Sequence, residues 1–133
     1  MTTVPSELKY TREHEWVLPI MNGKAVRVGI TAFAQKELGD VVFVELPKAD
    51  TTLQAGEEMG TVESVKAVSE FYAPVDGTIT AVNERLDSEP ELLNEDPYGD
   101  GWIVELTLTD PGSVKDLLTA EQYRSYLAPP EDD

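Results

Sequence analysis

Lys66 is the side chain whose surroundings single it out for covalent chemistry. It stands in the run Gly60-Thr-Val-Glu-Ser-Val-Lys-Ala-Val-Ser-Glu-Phe-Tyr-Ala-Pro74, between two short β-prone stretches of opposite hydrophobic phase. That pattern predicts a hairpin with the lysine at its tip. Between Lys48 and Arg85 it is the only basic residue, set among Asp50, Glu57, Glu58, Glu63, Glu70, Asp76 and Glu84. A lysine amine on its four-carbon stem can be acylated to a neutral amide, so an isolated amine at a loop tip is an address for a modifying enzyme.

Other chemistries are poorly served. The chain has no cysteine, which excludes disulfides, thiolate zinc sites and cysteine nucleophiles. His14 is the only histidine, a poor basis for a metal site, and a packing or hydrogen-bonding role suits it better. Gly56, Gly60 and Gly77 lack the strand-to-helix turn and following Lys-Ser or Lys-Thr of a phosphate loop, and read as turn residues. No nucleophile and base can be paired, so no catalytic residue is assigned and the chain is read as a non-enzyme.

The elements that must position Lys66 follow from local patterns. Glu15-Trp-Val-Leu and Ala25-Val-Arg-Val-Gly-Ile flank Asn22-Gly23, the pair that favours a tight hairpin turn. Thr31 can cap a short helix from Ala32 to Leu38 that ends at Gly39. Strands are expected at Asp40–Leu46, Gly77–Val82 and Gly101–Leu108. The stretches from Gly39 and from Gly77 look like weak copies of one unit, 38 positions apart, whose connection would turn back at Lys66. Near the C-terminus Thr119-Ala-Glu-Gln122 resembles a capping box, and Tyr123, Tyr126 and Leu127 have helical spacing. Trp16 and Trp102 are expected as core anchors.

With 133 residues, 41% of them hydrophobic, the chain suits one compact domain. Its net charge of −16 repels phosphate backbones and anionic membranes and favours basic partner surfaces, so neither nucleic acid nor membrane is expected as a ligand. No stretch has signal-peptide or membrane-spanning character, and no Arg-rich transit segment precedes the domain; a cytoplasmic protein is expected.

Five motifs in order, Leu8-Lys-Tyr-Thr-Arg-Glu-His-Glu-Trp-Val17, Val28-Gly-Ile-Thr-Ala-Phe-Ala-Gln35, Leu38-Gly-Asp-Val-Val-Phe-Val-Glu-Leu-Pro47, Val62-Glu-Ser-Val-Lys-Ala67 and Asn94-Glu-Asp-Pro-Tyr-Gly-Asp-Gly-Trp102, resemble the glycine cleavage H-protein family over roughly residues 8 to 127. The resemblance implies a mainly β, barrel-sandwich hybrid fold of the lipoyl/biotinyl-domain type, with a short early helix and a C-terminal helix. It implies lipoic acid as a covalent cofactor on Lys66, and no catalysis by the chain itself. The partners implied are the glycine decarboxylase P protein, the aminomethyltransferase T protein, the dihydrolipoamide dehydrogenase L protein and the lipoate-attaching enzymes. An alternative is a relay that hands its lipoyl group to 2-oxoacid dehydrogenase acyltransferases.

Acylation by lipoic acid would extend the lysine to an arm on the order of 14 Å long. Glu15, Glu70 and, more weakly, Glu13 are the carboxylates by which a cationic cargo on that arm would be sheltered; Glu15 could instead bond a backbone amide, and Glu70 could be a solvated strand residue. The expected organisation is an N-terminal extension at 1–7, the lipoyl-bearing unit at 8–128 and a disordered acidic tail at 129–133. Two departures from the family pattern stand out. Glu37 occupies a place where some members carry histidine, and Lys48-Ala-Asp-Thr-Thr52 lacks a glycine usual after Leu-Pro. Val65 and Ala67 flank the lysine where biotinyl domains place methionines.

Overall fold

The computed structural model describes residues 4–127; the tail predicted at 129–133 lies outside them, as do the first three residues of the extension. Two antiparallel sheets face each other. The larger has the order β1-β2-β3-β9-β8-β5 and the smaller the order β4-β6-β7, where the strands are β1 (Lys9–Tyr10), β2 (Glu15–Ile20), β3 (Ala25–Ile30), β4 (Val41–Glu45), β5 (Thr52–Leu53), β6 (Glu58–Ser64), β7 (Val68–Tyr72), β8 (Gly77–Val82) and β9 (Val104–Leu108). The helices are α1 (Ala32–Leu38), α2 (Arg85–Ser88), α3 (Leu92–Glu95) and α4 (Ala120–Leu127). This is the expected mainly β sandwich with its early and C-terminal helices, α1 and α4; the single-turn helices α2 and α3 were not expected from the sequence.

Alternation makes the sandwich. Val17, Val26, Val28, Ile79, Val104 and Leu106 from the large sheet meet Val44, Val62 and Phe71 from the small one in one buried cluster, and this apolar burial is the main force joining the sheets. A second cluster of Val4, Leu8, Tyr10, Trp16, Ala120 and Tyr123 fastens the C-terminal helix to the outside of β1 and β2. There Tyr10 and Tyr123 stack with ring centroids 4.6 Å apart. The segment preceding residue 8 takes part, for Val4 is buried and its carbonyl accepts from Arg124.

Helix limits obey the capping chemistry read from the sequence. Thr31 accepts the Ala34 N–H, and Gly39 closes α1 at φ 79°. At α4 the Thr119 and Gln122 side chains each accept the other's backbone N–H, at 3.2 and 2.9 Å, a reciprocal capping box. The first hairpin departs from expectation. Ile20 pairs with Ala25, so the loop holds four residues rather than two, and Met21, Asn22 and Gly23 all take left-handed φ. The two Gly-led copies fall in different sheets, β4 beside β6 and β8 beside β9.

One close approach fixes where Trp16 lies. A Cβ on Gly29 would stand 2.6 Å from Trp16 Nε1, and that nitrogen donates to the Pro97 carbonyl at 2.8 Å, so the indole cannot swing away. Gly29→Ala is expected to cost about 2 kcal/mol by overpacking, read as a lower urea midpoint with unchanged slope.

Candidate functional site

Lys66 stands at the tip of the β6–β7 hairpin. Glu63 pairs with Val68, and the Ser64 N–H donates to Ala67 O at 2.8 Å, leaving Val65 and Lys66 as a two-residue turn. Neither has a left-handed φ, so this is not the primed turn that two-residue hairpins favour. Buried Ser64 holds it instead: its Oγ accepts from Lys66 N at 3.3 Å and from Ala67 N at 3.1 Å. Serine at the start of a turn bonds the backbone two residues on, a sequence signal for this residue that the lysine-centred reading passed over. Lys66 is exposed, and among the described residues it makes no ion pair.

Beside the tip runs a cleft of ≈ 420 Å³ between the edge of β7 and α1. Ile30, Phe33, Leu38 and Phe71 give it apolar walls, while Glu13, Glu37 and Glu70 bring carboxylates. Of the acidic candidates, Glu13 and Glu70 border this cleft. Glu70 is also the solvated strand residue it could have been, exposed on β7. Glu37, singled out as a departure, sits on the α1 wall.

Glu15 lies elsewhere. It is 2% exposed and borders a second cleft of ≈ 360 Å³ with Tyr10, Arg12, Tyr72 and Asp116; Glu13 borders both. Its Oε2 accepts the Tyr72 N–H at 2.7 Å and its Oε1 the Thr11 hydroxyl at 2.9 Å. The carboxyl thus ties the first residue of β2 to the last residue of the lysine-bearing hairpin, the backbone-amide bond foreseen as its other role. Burial pushes its pKa up to about 7, against those two hydrogen bonds, which lower it.

His14 also borders the cleft beside Lys66, in a left-handed conformation of φ 69°. Its Nδ1 lies 2.8 Å from Tyr123 Oη, which lies 2.8 Å from Thr31 Oγ1. Thr31 is fully buried and its Oγ1 also accepts the Ala34 N–H, so His14, Tyr123 and Thr31 form one hydrogen-bonded chain that ends at the cap of α1. Burial lowers the pKa of the imidazole and so favours its neutral form. Phe33 packs on it at 4.6 Å between centroids. The packing and hydrogen-bonding role expected of the sole histidine is what the structure shows. Trp16 is buried, whereas Trp102 is half-buried under the Arg27 guanidinium, 4.8 Å from the ring centre. Among the described residues no cluster of ligands could hold a metal, and no helix is long and apolar enough to cross a membrane.

The arrangement offers an addressable amine, a tether point and an adjoining apolar cleft with an acidic border. A family model for the glycine cleavage H-protein matches residues 8–129. A probable glycine cleavage system H protein of Haloarcula marismortui is 58% identical over 124 residues, 93% of this chain and 96% of that protein. The glycine cleavage system H protein of Bacillus mycoides is 56% identical over 121 residues, 91% of this chain and 94% of that one. A crystal structure of a glycine cleavage system H protein from Mycobacterium marinum aligns with a TM-score of 0.83 at 42% identity, covering 92% of this chain and 98% of that one.

Proposed function

The chain belongs to the glycine cleavage H-protein family, and from that premise we propose that Lys66 carries the lipoyl group through an amide at Nζ. The protein is a carrier and not an enzyme, working among the P, T and L proteins of glycine cleavage. When bound, the lipoyl disulfide supplies the chemistry, taking the aminomethyl group of glycine from the P protein, yielding it to the T protein and returning to the disulfide at the L protein.

The residues present suit that group. Lys66 is exposed on a turn held by Ser64, so an attaching enzyme has access to Nζ while the backbone beneath it stays ordered. An arm on the order of 14 Å is long enough to leave the tip for a partner's active site or to lie back along the chain. The apolar walls of Phe33, Leu38 and Phe71 offer that resting place and exclude water. Glu13 and Glu70 bias the same cleft toward a cationic cargo. Glu15, a leading candidate with Glu70, borders the second cleft, and Glu13, the weaker third, lines both. The lipoate-attaching enzymes are partners on this reading, the compartment is the cytoplasm, and residues 8–128 are the lipoyl-bearing unit.

The observation that carries the proposal is the position of Lys66 alone at a two-residue turn beside the cleft. The test is intact-mass spectrometry with peptide mapping on protein produced in cells supplied with lipoic acid. A lipoyl increment located on Lys66 is expected. An unmodified Lys66 in cells that lipoylate other acceptors would leave the chain as an interaction domain without its arm.

A further inference from the structure

Asn94 lies in α3, outside both clefts and far in sequence from the lysine hairpin, yet its amide reaches the ground on which Lys66 rests. Oδ1 accepts the Val41 N–H at 2.8 Å, and Nδ2 donates to Gly39 O at 2.8 Å and to Gln35 Oε1 at 2.9 Å. The orientation is fixed by chemistry, since only the oxygen can accept the Val41 N–H and only the nitrogen can serve the Gly39 carbonyl. Asn94 thus grips both sides of the Gly39-Asp40 turn, where Gly39 has φ 79° and ψ −155°, a conformation that essentially only glycine enters.

That turn meets the lysine hairpin in three ways. A Cβ placed on Gly39 would lie 3.5 Å from Lys66 Cε and 3.9 Å from Cδ, so the lysine stem lies over a bare Cα. The Asp40 carbonyl accepts the Val65 N–H at 3.1 Å. Val41 is the register partner of Ser64, the residue that holds the tip. The surface below Lys66 and the anchor of the residue before it therefore belong to one turn, and Asn94 is the side chain that fixes it.

Resting on the reading of Lys66 as the lipoylated residue, we propose that Asn94 is a positioning residue for lipoyl attachment: by locking residues 39–41 it sets the exit direction of the Lys66 stem and so presents Nζ to the enzyme that acylates it. The amine must meet an activated acyl carbon within a narrow range of distance and angle, and a displacement of about 1 Å can cost on the order of a hundredfold in rate.

The experiment compares wild type, Asn94→Ala, Gly39→Ala and Asn83→Ala as substrates of a lipoate–protein ligase supplied with lipoic acid and ATP, with attachment followed by intact mass and amide exchange measured by NMR. Asn83 is a matched control: it is 5% exposed and donates to the Asp100 and Trp102 carbonyls, both at 2.8 Å, neither of which belongs to the Gly39 turn. Asn94→Ala is expected to lower kcat/KM for attachment at least about tenfold and to speed exchange at Val65 and Val41. Asn83→Ala is expected to lower stability while leaving attachment near the wild-type rate. Gly39→Ala leaves Asn94 in place and sets a methyl group against the stem in a strained backbone; it is expected to slow attachment too, and it carries the test if Asn94→Ala does not fold. Wild-type attachment kinetics in Asn94→Ala, or equal losses in Asn94→Ala and Asn83→Ala, would overturn the proposal. A wild type that takes no lipoyl group at Lys66 would instead remove the Lys66 reading on which it rests.

Discussion

Lys66→Arg is expected to reduce glycine cleavage, reconstituted with the P, T and L proteins, to the rate seen with no carrier added, while leaving the fold intact. Arginine keeps the positive charge and most of the length, but its guanidinium stays protonated and offers no amine to acylate. Everything that depends on an exposed cation at the tip is preserved and everything that depends on an amide at Nζ is lost. Lys66 makes no ion pair among the described residues and its side chain is exposed, so urea unfolding should shift by no more than about 0.5 kcal/mol. The paired measurements are carbon dioxide release from glycine and the unfolding midpoint. Turnover retained by Lys66→Arg would show that the arm is attached elsewhere or that none is needed. Lost turnover with a large loss of stability would make the lysine structural instead.

The lysine was legible in the sequence because its signal is local. Two strands of opposite phase and one amine among carboxylates lie within a short run, and the threonine cap of α1 and the capping box of α4 are local signals of the same kind. The long-range consequences were less legible. The motif that begins at Asn94 could be matched to a family, but that its first side chain grips Gly39 depends on how α3 packs across α1 and β4, which no spacing rule encodes. The same holds for Glu15 and Glu70. On sequence both were sheltering candidates, each with an alternative, a backbone-amide bond for Glu15 and a solvated strand position for Glu70. The fold shows both alternatives, but which acid borders which cleft came only from the packing that seals Glu15 beneath the end of β7 and leaves Glu70 in solvent on the same strand. The four-residue loop at Met21 was missed because Asn-Gly favours a two-residue turn, whereas the strand pairing stops at Ile20 and Ala25 and the left-handed run begins at Met21.

Glu15→Gln is expected to change the pH dependence of stability more than any other single substitution at the site. An ordinary glutamate titrates near 4.5, and burial raises Glu15 in the folded chain to about 7. Between these values the folded state binds a proton that the unfolded state has released, so the stability that Glu15 contributes is fully present below about pH 4.5 and is lost as pH rises through about 7. The difference corresponds to about 3 kcal/mol. Glu15→Gln keeps an acceptor for the Tyr72 N–H but has no proton to lose. Relative to that variant, wild type should therefore lose about 3 kcal/mol between pH 4.5 and pH 8, measured as the difference between urea unfolding free energies at each pH, a comparison in which the other titrating groups largely cancel. Parallel curves for the two proteins would mean that Glu15 remains ionised throughout. The uncompensated carboxylate at pH 8 is also a reservoir: a cation seated beside it would bring its pKa back toward the ordinary value and recover part of that stability. If Glu15 shelters an amine-bearing cargo, the wild-type curve should flatten toward that of Glu15→Gln when the carrier is loaded, and stay steep if Glu15 only braces β2 against the hairpin.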